Sequence, residues 1–63
     1  MKIGIAIDKW KLRAFETSLR DAGFTWEQHE GIVADTWFLM VVTDDVERLT
    51  EVVANTNEAC SSS

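Results

Sequence analysis

Thr36-Trp37-Phe38-Leu39-Met40-Val41-Val42-Thr43 is the stretch that decides the fold. It is rich in β-branched and aromatic residues and reads as a strand. Either alternation leaves a full apolar row: Trp37, Leu39 and Val41 on one side, Phe38, Met40 and Val42 on the other. A strand that is apolar on both faces belongs in the middle of a sheet. The sequence leaves open which row points inward.

On the N-terminal side, Lys2–Asp8 alternates cleanly. Ile3, Ile5 and Ile7 share one face, a period of two that indicates a half-buried strand. The other face carries Gly4 and Ala6, small enough for another group to approach the backbone closely. A helix follows, starting between Trp10 and Arg13 and ending at Asp21 or Ala22. Leu12, Phe15, Leu19 and Ala22 recur at steps of three and four and form its apolar stripe. Gly23 can end it at positive φ, with Phe24 folding back toward Leu19. Phe24–Glu30 reads as a second strand, with Phe24, Trp26 and Gln28 opposite Thr25, Glu27 and His29. Gly31 to Asp35 connects it to the central strand. A second helix begins near Thr43 or Asp44, with Asp44 and Glu47 spaced as a capping box. Its stripe is Val46, Leu49, Val53 and Thr56, and Asn55 and Asn57 mark its expected end.

The order β-α-β-β-α predicts an α+β, ferredoxin-like fold: a three-stranded antiparallel sheet of order 1-3-2 with two helices on one face. A right-handed crossover between the first two strands leaves room for the third between them. At 63 residues the chain is one domain. We expect it to span residues 1–60, with 61–63 as a mobile tail. The fold's usual fourth strand is missing from this pattern, so the first strand is an open edge. One apolar row of the central strand then lies on a face with no helix, which usually signals an interface. The expected product is a homodimer or higher oligomer. Its candidate contacts are Ile3, Gly4, Ile5, Ala6 and Ile7 along the edge, Trp37, Leu39 and Val41 on the bare face, and Trp10 beside it.

The net charge is −5. Direct nucleic-acid binding is disfavoured, because displacing counterions from phosphates needs a basic surface. The imbalance is also local. Residues 1–20 carry Lys2, Lys9, Lys11, Arg13 and Arg20 against two acids, whereas residues 21–63 set Arg48 against all the remaining acids. The acidic half suits a partner protein with a basic surface. The longest N-terminal apolar run, Ile3–Ile7, is too short for a membrane span, and a cytoplasmic location is expected. With the single cysteine Cys60 no internal disulfide can form.

Catalytic signals are sparse. His29 is the only histidine, with no serine near it to serve as nucleophile. Glu27 and His29 share a strand face, and Asp8 ends the first strand where ferredoxin-like folds place functional loops. Asp8, Glu27 and His29 are therefore the candidate ligand-binding residues. No catalytic residue, metal or cofactor is assigned.

The opening Lys2-Ile3-Gly4-Ile5-Ala6-Ile7-Asp8-Lys9-Trp10-Lys11-Leu12, with Phe15, Leu19 and Ala22-Gly23-Phe24, resembles small proteins encoded by tailed phages. That resemblance implies a phage accessory role in the cytoplasm of a host cell. The topology also resembles ACT domains, which implies a small-molecule regulatory site as the alternative, near Gly4, Ala6 and Asp8. The expected function is a protein-interaction module that binds or inhibits a host protein. A small enzyme with its site at the subunit interface is the remaining alternative.

Overall fold

The structure is a computed structural model, described here for residues 1–61. Three strands, β1 (Lys2–Asp8), β2 (Thr25–Glu30) and β3 (Thr36–Val42), form one antiparallel sheet in the order β1-β3-β2. A short 3₁₀ turn, Lys9–Lys11, leads into helix α1 (Leu12–Asp21), and α2 (Val46–Ser61) closes the described chain. This is the ferredoxin-like arrangement the alternation predicts, with β3 between β1 and β2. Cα extents of 29 × 26 × 15 Å describe a two-layer slab, a sheet and one layer of helices.

The pairing register decides which side of β3 is the core. Ile3, Ile5 and Ile7 stand opposite Val41, Leu39 and Trp37. Residues directly opposite in an antiparallel pair share a face. The isoleucine row therefore draws Trp37, Leu39 and Val41 to the helix side. Ile7, Leu39 and Val41 join Phe15 and Leu19 of α1 and Leu49 of α2 in one buried cluster. Leu12, Phe24, Trp26, Trp37, Val52 and Val53 pack around it.

Helix α1 ends as its sequence predicts. Gly23 has φ 83°. Its N–H donates to the Arg20 carbonyl at 3.0 Å, and the Phe24 N–H donates to the Leu19 carbonyl at 2.9 Å. These two bonds are a Schellman motif, which satisfies carbonyls that the helix end would leave unpaired.

Helix α2 differs from expectation at both ends. Its N-cap is Asp45, not Asp44: the Asp45 carboxylate accepts the Arg48 N–H at 3.0 Å, and the Asp45 N–H donates to the Thr43 hydroxyl, also at 3.0 Å. Asp44 instead lies 3.3 Å from the N-terminal ammonium of Met1. The helix also runs past Asn55 and Asn57 to Ser61. Tertiary packing overrides the weak helix propensity of asparagine, because Thr56 is buried one turn beyond Val52 and Val53. The Thr56 hydroxyl is satisfied by donating to the Val52 carbonyl at 2.7 Å. Ser61, assigned to a tail, is thus helical, while Ser62 and Ser63 of that expected tail lie outside the described residues.

Candidate interaction surface

The face of the sheet away from the helices carries Phe38, Met40 and Val42 from β3. This corrects the expectation that Trp37, Leu39 and Val41 lie there. Leu39 and Val41 are both 0% exposed inside the core, and Trp37 is half-buried against it. The isoleucine register is the physical reason. Phe38 and Met40 remain half-buried and Val42 is exposed. Opposite Met40 and Phe38 on β1 stand Gly4 and Ala6. A side chain added at Gly4 would collide with the Phe38 ring. The group that approaches this backbone closely is therefore the protein's own Phe38, which fills the room a small ligand would need at Gly4.

The outer edge of β1 can be read bond by bond. The Thr43 N–H donates to the Met1 carbonyl at 2.9 Å, and the Lys9 N–H to the Asp35 carbonyl at 2.9 Å. Successive residues of a strand point their N–H and C=O groups to opposite sides. With the register unbroken from Lys2 to Asp8, Ile3, Ile5 and Ile7 bond inward to β3. Lys2, Gly4, Ala6 and Asp8 direct their backbone groups outward. Among the described residues no strand pairs with that edge.

The candidate ligand residues do not assemble into one site. His29 Nε2 lies 3.5 Å from a Glu27 oxygen, with both side chains more than half exposed. Glu27 also meets Lys2 across the sheet at 3.7 Å. Asp8 turns to Lys11 instead, at 3.8 Å, and Lys11 also donates to the Asn57 side chain at 3.4 Å. The Glu27 contacts join exposed groups and contribute little to stability. Among the described residues, no three His, Cys, Asp or Glu side chains gather closely enough to hold a metal ion. None of the described helices is long and apolar enough to cross a membrane.

Two surface features escaped the sequence. The extension of α2 places Ala59 and Cys60 over α1, where with Trp10, Arg13, Ala14, Thr17 and Ser18 they line an open groove of about 570 Å³. Trp10, a candidate contact residue, is 66% exposed there, with the Lys11 ammonium 5.2 Å from its ring centre. The β2–β3 connection exposes Ile32 and Val33. Asp35 closes it at φ 61°, and the Thr36 hydroxyl caps the Val33 carbonyl. The signal available for Ile32 and Val33 was their place in a short connection between strands, where side chains point to solvent.

Comparison with protein-family models, with curated proteins and with solved structures finds no match for this chain.

Proposed function

We propose that the chain is a small homo-oligomeric protein-interaction module. The observation that carries this reading is the coincidence, among the described residues, of a β1 edge with no strand beside it and a sheet face with no helix on it, bearing Phe38, Met40 and Val42. A domain of this size has little core to spare, and covering apolar β-surface by association adds stability through mass action. Sedimentation across micromolar concentrations tests the reading: reversible dimers or larger species are expected, and a stable monomer throughout overturns it.

The partner class follows from charge. Asp44, Asp45, Glu47 and Glu51 are exposed along the start of α2 and favour a protein with a basic surface, which in the phage setting is a host protein. Electrostatic complementarity of that kind steers encounter and fades with salt. Complex formation with such a partner is therefore expected to weaken as ionic strength rises. Binding that is indifferent to salt would move the contact from the acidic helix to the apolar sheet face.

A further inference from the structure

We propose that the free edge of β1 pairs with β1 of a second copy, antiparallel about Ile5, so that Lys2 stands opposite the partner's Asp8. This rests on reading the chain as self-associating, and it names the surface and the register.

The argument starts from the bonding parity of the edge. Lys2, Gly4, Ala6 and Asp8 carry the outward N–H and C=O groups, as the inward bonds at Met1 and Lys9 fix. A symmetric antiparallel pair must set outward-bonding residues of one copy against outward-bonding residues of the other. Several registers satisfy this within the strand. Pairing about Gly4 leaves Asp8 unmatched, and pairing about Ala6 leaves Lys2 unmatched. Those centred further from the strand's middle leave still more outward residues unmatched. Pairing about Ile5 matches every outward residue: Lys2 with the partner's Asp8, Gly4 with the partner's Ala6, and the symmetric pairs. Each such pair exchanges two backbone hydrogen bonds.

Charge selects the same register. Lys2 and Asp8 are the only charged residues of the strand, one at each end, and antiparallel pairing about the centre makes them complementary to themselves. Opposite charges facing each other across strands stabilise the pair, and like charges destabilise it. Both side chains stay more than half exposed in the single chain, so they are able to turn toward a neighbour. The usual guards of an edge are absent between them, since the interior is Ile-Gly-Ile-Ala-Ile without proline or charge.

Packing agrees. Ile3 and Ile5 are only half-buried on the core side. In this register Ile5 meets its own copy at the two-fold axis and Ile3 meets the partner's Ile7, in the non-hydrogen-bonded positions where side chains come closest. The product is a continuous six-stranded sheet, ordered β2-β3-β1-β1-β3-β2. All its helices lie on one face, and Phe38, Met40 and Val42 of both copies line the other.

Charge exchange and cross-linking test the register. Lys2→Glu or Asp8→Lys alone should weaken the dimer about tenfold, because symmetry places the like-charge clash at both ends. The double exchange, K2E with D8K, should restore the association. In a Cys60→Ser background, Ile5→Cys should form a covalent dimer under mild oxidation, since a non-hydrogen-bonded antiparallel pair has a Cα separation of about 4.5 Å, within disulfide reach. Ile3→Cys, which faces the partner's Ile7, should not. A dimer that shows neither rescue nor selective cross-linking overturns the register while self-association stands. A wild-type chain that remains monomeric overturns both.

Discussion

The two edges of the sheet are built from opposite materials. β2 presents Thr-Trp-Glu-Gln-His-Glu and β1 presents Lys-Ile-Gly-Ile-Ala-Ile-Asp. Both strands bond to β3 on one side and are open on the other among the described residues. Along β2, Glu27, Gln28, His29 and Glu30 are all exposed, and a second copy laid against this strand would crowd Glu27 and Glu30 of both copies along one seam. That is how natural sheets discourage edge-to-edge pairing. Along β1 the charges sit only at the ends, with opposite sign. The comparison teaches that an open edge is not by itself an invitation. Placement of charge along the strand decides whether it repels its copy or receives it.

The harshest way to break the comparison is to remove what both edges lean on. Leu39 is fully buried in the strand they share, and Leu39→Ala should cost roughly 2–5 kcal/mol. For a domain holding about 0.05–0.15 kcal/mol per residue that is a large share of the total. Urea denaturation should show a midpoint lowered in proportion, in the monomer and in any associated form alike. A change under 1 kcal/mol would mean that the core lies elsewhere.

Proline separates the two edges directly. Ala6 and Gln28 both carry outward N–H groups, Gln28 because the Gly31 N–H bonds inward to the Thr36 carbonyl at 3.1 Å and the β2–β3 register alternates from there. Proline is tolerated on a strand where the missing N–H faces solvent. Ala6→Pro should therefore keep the far-ultraviolet circular dichroism of the fold while abolishing association. Gln28→Pro should leave association intact. Loss of association in the second variant but not the first would reverse the roles of the edges.

The smallest effect is expected from the cross-sheet charges. Glu27→Gln removes the contacts to Lys2 and His29, both between exposed groups, and should change stability by no more than about 0.5 kcal/mol. A larger loss by thermal or chemical denaturation would give these side chains a structural part that their exposure does not suggest.

Much of this architecture was legible in the chain, and particular residues explain the rest. Ile3, Ile5 and Ile7 announce β1, and Leu12, Phe15 and Leu19 announce α1, because each pattern is local and has one period. Gly23 and Phe24 close α1 as expected because the turn needs only neighbouring residues. β3 could not be oriented from its own sequence, since both its rows are apolar. The pairing of Ile5 with Leu39, a non-local fact, settles it. The end of α2 was hidden for a similar reason: Asn55 and Asn57 speak locally for a stop, while burial of Thr56 across the domain carries the helix onward. Asp8 could not be placed apart from Glu27 and His29 until the Lys11 side chain was seen to engage it.

The three tryptophans sit in unlike surroundings: Trp26 and Trp37 lean on the core, while Trp10 is largely exposed near the chain's far end. The chain therefore has a built-in fluorescent gauge. Two indoles should shift to longer emission wavelengths as the fold opens, and the third should report chiefly on whatever settles into the groove beside Cys60. Replacing Trp10 by phenylalanine would silence the second channel and leave an unmixed optical record of folding.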